Sequence, residues 1–217
     1  MTLSRIRFLA ITLLVVLGLI YFGLRAYQLM AGTHRGVVEL PSGLLLPKGL
    51  PVEPFHLATT DGHSFGNERL KGHWTLLFPG YMHCPSICPT TLETLKKGLH
   101  DLAYIGHQVE VWFLTLDPDS DPPDELARFV QGFDPRFTAM TGTREDVERF
   151  ASRQMVHFER GVEGVEKDRI VAHDARVLIF NPDGDLAGYL SPPLTPENVK
   201  ASVVRLLKSI STVPPVL

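Results

Sequence analysis

The chain contains two cysteines, Cys84 and Cys88, which lie four residues apart. At this spacing the two sulfur atoms are able to form a disulfide bond or to share a metal ion. A purely structural disulfide is the alternative, but a bridge across so short a loop removes little chain entropy and stabilises weakly. The spacing therefore favours a redox-active or metal-binding pair.

The pair falls between an apolar segment typical of a strand, His73–Phe78, and a helical pattern, Thr90–Leu102, in which leucines recur three and four residues apart. Pro89 suits the start of a helix and disfavours helical geometry at Cys88. We therefore expect Cys88 at the positive end of a helix, where a thiolate is favoured and the pKa is lowered. Cys84 should lie in the loop just above it.

The remaining patterns predict an alternation of short strands and helices. The predicted elements are a hairpin at Asp61-Gly62, a strand at Val109–Leu116, a helix from Pro122, a strand at Phe137–Met140, a helix at Thr143–Arg153, an edge strand at Met155–Glu159, a hairpin of Val177–Phe180 with Leu186–Leu190, and a helix from Thr195 to about Ile210. This order predicts an α/β fold in which helices cover both faces of a mixed sheet. Ligands bind such sheets at the carboxyl ends of strands, where the cysteines fall.

The N-terminal part of the chain differs in composition from the rest. Phe8–Leu24 contains no charged residue and follows Arg5 and Arg7, which predicts one transmembrane helix with its start in the cytoplasm and the following domain outside. A cleaved signal peptide is the alternative, but no good cleavage site follows. The expected domains are 1–33 (cytoplasmic start and anchor), 34–54 (Pro/Gly-rich tether), 55–212 (folded domain) and 213–217 (tail).

Charge separates the same two regions. Residues 1–33 hold three arginines and no acidic residue; removing these arginines from the total of 21 basic residues leaves 18, against 24 acidic residues. The remainder therefore carries a formal charge of −6, which argues against nucleic acid as a partner.

The motif at Gly80–Leu92 closely resembles that of the Sco/SenC family, whose pattern is Cys-Pro-x-x-Cys-Pro with a distant histidine ahead of a strand. Cys84 and Cys88 match the first element, and His173 matches the second. The family often has Asp at the position of Ser86, and usually has Asp before the histidine and Ser after it, where this chain has Ala172 and Asp174.

The resemblance implies a membrane-anchored, thioredoxin-like protein that binds copper, as Cu(I) or Cu(II), through Cys84, Cys88 and His173. It implies delivery of that copper to the CuA-bearing subunit of cytochrome c oxidase, with another copper chaperone or a thiol reductant as a further partner. The implied location is a bacterial inner membrane, with the domain on the periplasmic side. The residue types agree, because soft Cu(I) accepts two thiolates and an imidazole, whereas structural zinc normally needs four protein ligands.

Two other activities compete with copper delivery. In a thiol–disulfide oxidoreductase Cys84 would attack and Cys88 would resolve the mixed disulfide; in a thiol peroxidase His173 would not be required. His83, beside Cys84, is an alternative ligand or thiolate partner, although a solvent-facing or hydrogen-bonded loop histidine is the favoured interpretation. Asp117 ends a strand, and it is either near the site or part of a plain helix-entry turn. The segment Gly161–Asp174, rich in glycine and charge, is expected to be mobile without copper and ordered by it.

Overall fold

The computed structural model describes residues 3–31, 36–100, 102, 108–160 and 170–210. The chain divides into two compact units, Met1–Gly36 and Val37–Leu217. The first unit contains helix α1 (Leu3–Ala31). Among the described residues, no helix combines the length and hydropathy expected of a membrane span. The N-terminal transmembrane anchor therefore stays a prediction.

The second unit is built on a nine-stranded mixed sheet with the order β1-β2-β11-β10-β5-β6-β7-β3-β4, and β8 and β9 form a separate two-stranded sheet. The strands are β1 (Val38–Leu40), β2 (Gly43–Leu50), β3 (Leu57–Thr59), β4 (Ser64–Phe65), β5 (Trp74–Gly80), β6 (Val109–Thr115), β7 (Thr138–Thr141), β8 (Phe158–Arg160), β9 (Ile170–His173), β10 (Val177–Phe180) and β11 (Leu186–Leu190). The helices of this unit are α2 (Ile87–His100), α3 (Pro123–Phe133), α4 (Arg144–Arg153) and α5 (Pro196–Ile210).

The three central strands β5, β6 and β7 are parallel, and the other pairs are antiparallel. Parallel neighbours need crossover connections, and helices α2 and α3 supply them between these strands. Strand β5 is buried along its whole length, as a central strand covered on both faces should be. The predicted mixed sheet and both predicted hairpins are confirmed.

Two successive residues of β6 show that helices cover both faces of the sheet. Trp112 and Phe113 are buried and point to opposite faces, because side chains alternate along a strand. Phe113 packs against Phe129 of α3, with ring centroids 5.9 Å apart. On the other face Trp112 packs against Phe65 at 4.0 Å, and Phe65 belongs to an aromatic cluster that includes Phe150 of α4.

The prediction of an irregular tether over residues 34–54 is wrong for residues 38–50, which form β1 and β2. Strand β2 extends the main sheet by pairing with β11, far along the chain. The two backbones approach so closely that a Cβ on Gly188 would lie 2.1 Å from the carbonyl oxygen of Leu44. Pro47, which lacks an N–H, falls in the stretch where the pairing register shifts, a position that a strand tolerates.

Candidate metal centre

The site begins where β5 ends. The Gly80 carbonyl accepts a hydrogen bond of 2.7 Å from the backbone N–H of Leu116, so the loops that follow β5 and β6 leave the sheet side by side. The chain then turns, and the backbone N–H of Cys84 donates to the carbonyl of Tyr81 at 3.3 Å. This turn places Cys84, which is only 7% exposed, directly before α2.

Helix α2 places Cys88 on its buried face, which also carries Leu92, Leu95 and Leu99. These residues recur at the three- and four-residue spacing of one helix face, which explains why Cys88 is fully buried. The backbone N–H of Cys88 points at the sulfur of Cys84, 3.4 Å away. The two sulfur-bearing residues are therefore linked by the first turn of the helix.

Two expectations about Cys88 are wrong. It is the second residue of α2 rather than a cap, and Pro89 fits as the third residue because the first four N–H groups of a helix have no partner within it. Burial raises the pKa of the Cys88 thiol, and a hydrogen bond with the backbone of Tyr81 opposes this only in part. The sequence argument considered the favourable helix terminus but not the larger penalty for burying a thiolate.

His173 is the last residue of β9 and lies opposite Phe158 of β8. Its ring lies among aromatic side chains, 5.9 Å from Phe78 and 5.7 Å from Tyr81 between centroids. Nδ1 lies 2.9 Å from the carbonyl oxygen of Asp174, a pure acceptor, so Nδ1 carries the hydrogen and donates it. Nε2, 3.3 Å from Sγ of Cys88, then carries the free lone pair. Burial lowers the pKa of His173, so the neutral ring is favoured.

The structure brings together all three residues that the sequence singled out. One ligand atom each from Cys84, Cys88 and His173 lies within 4.8 Å of the other two. Both cysteines are free thiols. Two sulfur ligands and one imidazole nitrogen form a donor set suited to a soft metal ion.

Gly80 is part of this geometry because no larger residue fits behind the cysteines. A Cβ at this position would lie 2.8 Å from Sγ of Cys88 and 2.9 Å from the ring of Phe113. Only a residue without a side chain allows the end of β5 to pass this close to the sulfur. The lack of a side chain at Gly80 therefore allows Sγ of Cys88 to lie this close to the end of β5.

Sequence reasoning missed Asp121, a fully buried carboxylate beside the cysteine loop. Its Oδ2 accepts hydrogen bonds from the Thr115 hydroxyl at 2.6 Å and from the backbone N–H of Met82 at 3.1 Å. Its Oδ1 lies 3.7 Å from Nδ1 of His83. Burial raises the pKa of Asp121. The signal available in the sequence was a carboxylate just before a Pro-Pro helix start, which reads equally well as an ordinary turn.

The other candidates fall outside the cluster of three ligands. The side chain of His83 is 54% exposed and faces Asp121, so the structure favours the reading of a loop histidine over a substitute ligand. Asp117 is buried two residues beyond the end of β6, where its backbone N–H donates to the Thr115 hydroxyl at 3.0 Å, and its place near the site stays a prediction. Of the segment predicted to be mobile, residues 161–169 lie outside the described residues.

Comparison with known proteins identifies the family. The SCO1/SenC family model matches residues 47–208. The chain belongs to the SCO1/SenC family. Among its relatives is the human mitochondrial SCO2 homolog, which is 32% identical over 161 residues, covering 73% of this chain and 60% of the human protein.

Solved structures of Sco proteins share the fold of this chain. Arabidopsis thaliana ScoI with copper bound superposes with a TM-score of 0.66 and 25% identity, over 72% of this chain and 98% of that one. BsSco, a member of the Sco family of cytochrome c oxidase assembly proteins, superposes with a TM-score of 0.56 and 24% identity, over 76% and 96% of the two chains. The predicted thioredoxin-like Sco fold is confirmed, and the copper-bound relative agrees with the predicted metal.

Proposed function

We propose that this Sco-family protein is a copper metallochaperone that holds one copper ion between Cys84, Cys88 and His173. The observation that carries the proposal is the convergence of two thiol sulfurs and one imidazole nitrogen within 4.8 Å. Thiolates and imidazole are ligands that Cu(I) accepts readily, and Cu(II) tolerates them when oxygen ligands are added. A structural zinc site would normally recruit a fourth protein ligand.

Copper is cargo in this proposal, and the site is suited to both holding and releasing it. The neutral ring of His173 offers its Nε2 lone pair without first losing a proton. The two cysteines must each lose a proton when copper binds, because the thiolate is the ligand. Three protein ligands leave room for an incoming ligand from an acceptor protein, so transfer does not require the ion to become free in solution.

The acceptor we propose is the copper-bearing subunit of cytochrome c oxidase, at its CuA site. Support comes from membership of a family that includes cytochrome c oxidase assembly proteins. Another copper chaperone or a thiol reductant would act before this step, because the cysteines must be reduced before they bind copper.

We also propose that the protein is held in a bacterial inner membrane by a single N-terminal span, with its copper-binding domain on the periplasmic side. Support for this comes from the sequence alone. Phe8–Leu24 lacks charged residues, and Arg5 and Arg7 precede it.

The copper proposal is tested on the reduced full-length protein in detergent, by metal analysis and by competition for Cu(I) with a chromophoric chelator. We expect about one copper per chain. The ligand variants Cys84→Ser, Cys88→Ser and His173→Ala should each lose more affinity than the roughly 10- to 100-fold that loss of an outer-shell partner causes. His157→Ala is the matched control, because this exposed histidine belongs to the same region but lies outside the cluster. Wild-type affinity in His173→Ala would remove His173 from the site.

A thiol–disulfide oxidoreductase is the second candidate, favoured by two free thiols four residues apart, both of them buried. In this reaction the Cys84 thiolate attacks a sulfur of the target disulfide, and a target thiolate leaves. Cys88 then attacks the Cys84 sulfur, which releases the second target thiol and leaves a Cys84–Cys88 disulfide for an external thiol reductant to reduce. His173→Ala distinguishes the two functions, since it should abolish tight copper binding while leaving reduction of an oxidised CuA domain largely intact.

A further inference from the structure

Asp174, the residue that follows His173, is paired with Arg176 two residues later. Nε of Arg176 donates to Oδ2 of Asp174 at 2.6 Å, and the backbone N–H of Arg176 donates to Oδ1 at 3.1 Å. The guanidinium forms an ion pair with the same carboxylate. The side chains are 28% and 21% exposed, so solvent screens this pair less than it would a fully exposed one.

Arg176 also contacts two elements outside its own turn. Its Nη2 donates to the carbonyl of Met155 at 2.9 Å, just ahead of β8. Its guanidinium lies 5.0 Å from the centroid of the Tyr189 ring in β11. A planar guanidinium is able to stack on a ring while its N–H groups donate in the plane. Arg176 therefore links the segment that leads into β8 to strand β11 of the main sheet.

Asp174 connects this arginine to the metal centre. Its backbone N–H donates to the carbonyl of His157 at 2.8 Å, which holds the end of β9 against β8. Its own carbonyl accepts the Nδ1 hydrogen of His173. Because the Asp174 carboxylate also accepts from the backbone N–H of Arg176, it closes a local turn that restricts the direction of the Asp174 carbonyl.

We propose that Asp174 and Arg176 form a clamp that aims Nε2 of His173 at Cys88, which makes Arg176 a positioning residue for the copper ligand. The role in copper binding rests on the proposed function, whereas the role in orienting the ring does not. A metal-binding histidine normally donates its second N–H to a carbonyl or carboxylate, and loss of such support weakens metal binding. The clamp provides that support through the backbone carbonyl of Asp174.

The first test needs no metal. Long-range ¹H–¹⁵N NMR of the imidazole rings in the reduced full-length protein in detergent reports which nitrogen carries the hydrogen. We expect His173 to hold its hydrogen on Nδ1 in the wild type, and Arg176→Leu to show a mixture of tautomers. Asp174→Asn, which keeps the carbonyl but weakens its anchor, should shift the ring in the same direction. An unchanged single tautomer in folded Arg176→Leu and Asp174→Asn would overturn the clamp.

The second test is a double-mutant cycle on Cu(I) affinity. Arg176→Leu should weaken binding about 10- to 100-fold in the wild-type background. It should have almost no further effect in His173→Ala, because the arginine acts through that ring. Equal losses in both backgrounds would show a general structural role and overturn the proposal. Arg149→Leu, which removes ion pairs of α4 with Glu145 and Asp146, is the matched control and should leave affinity unchanged.

The two proposals fail in different ways. If the wild type binds no copper while the His173 tautomer still depends on Arg176, the copper function is wrong and the clamp stands. If the wild type binds copper with unchanged affinity in Arg176→Leu, the clamp is wrong and the copper function stands. Arg176→Lys serves as partial rescue, since one ammonium keeps the charge but lacks the planar fork of the guanidinium.

Discussion

Nε2 of His173 lies 3.3 Å from Sγ of Cys88, although 85 residues separate them in the chain. Burial raises the pKa of the thiol and lowers the pKa of the imidazole, so both shifts favour a neutral pair over a thiolate–imidazolium pair. This electrostatic setting is unlike that of a reactive thiol nucleophile, which needs a lowered pKa. It therefore disfavours a peroxidase in which Cys88 attacks the peroxide, and it equally disfavours the resolving attack of Cys88 in the oxidoreductase. A soft cation that replaces the proton on the Cys88 sulfur offsets the free-energy cost of burying the thiolate charge.

Copper binding should release protons and strengthen as pH rises. The raised pKa of Cys88 means that its thiol is protonated at neutral pH, so copper must displace that proton. The lowered pKa of His173 means that protonation of the ring competes only at more acidic pH. Competition titrations between about pH 6 and pH 8 should show copper affinity increasing with pH. In Cys88→Ser the number of protons released per copper ion should fall by about one. Affinity independent of pH would contradict this expectation.

Mild oxidation should form a Cys84–Cys88 disulfide that abolishes copper binding. The backbone N–H of Cys88 already points at Sγ of Cys84, and a disulfide sulfur is a poor substitute for a thiolate. Thiol counts should fall from two to zero as bound copper disappears, and a thiol reductant should restore both. The single variant Cys84→Ser controls for oxidation between chains. Full copper binding by completely oxidised protein would refute the prediction.

Gly80→Ala should disturb the metal site by crowding the sulfur of Cys88 from the end of β5. The added methyl group would lie 2.8 Å from Sγ of Cys88 and 2.9 Å from Phe113, so either the helix or the ring must move. Such overpacking typically costs about 1–3 kcal/mol of folding stability. We expect weaker copper binding together with easier unfolding in urea.

Gly132→Ala is the matched control for Gly80→Ala. This glycine lies in α3, and a Cβ there would meet nothing within 4 Å. The substitution should leave copper affinity unchanged and stabilise the helix by up to about 1 kcal/mol. Equal behaviour of the two alanine variants would show that Gly80 does not set the position of Cys88.

The membrane proposal predicts that the protein remains in the membrane fraction after an alkaline wash and that protease added to spheroplasts digests its domain. Leu17→Arg, near the middle of the uncharged segment, should oppose insertion by about 2.5–3.5 kcal/mol and release protein from the membrane. Leu17→Phe, which keeps the segment apolar, is the control. Complete protection of the domain in spheroplasts would reverse the proposed orientation.

The sequence predicted those parts of the fold whose signals are local. The leucine pattern predicted α2, and the Pro-Asp-Gly turn predicted the β10–β11 hairpin. The resemblance to the Sco/SenC motif predicted Cys84, Cys88 and His173 as ligands, and these three residues lie together in the structure. Strand β2 was missed because its partner β11 lies at the other end of the chain, and a short apolar run between prolines gives no sign of that pairing.

The environment of each site residue was harder to predict than its identity. The pKa of Cys88 depends on how much protein covers the sulfur, and that burial is a product of tertiary packing rather than of helix position. Asp121 obtains its two hydrogen-bond donors because β5 and β6 are parallel neighbours, which brings Thr115, Met82 and the carboxylate together. The sequence shows these residues as separate turn and strand positions.

The division of the ligands between two sheets predicts an order of ligand exchange. Cys84 and Cys88 are anchored by the end of β5 and the first turn of α2, whereas His173 ends a strand of the separate β8–β9 sheet. An acceptor thiolate that approaches the copper would therefore displace the imidazole first, because moving that strand breaks contacts of the Asp174–Arg176 clamp but no hydrogen bond of the main sheet. The cysteines would be the last ligands to release the ion. The residence time of copper on the protein would then depend on how readily β9 moves away from the cysteines, and not on the strength of the copper–sulfur bonds alone.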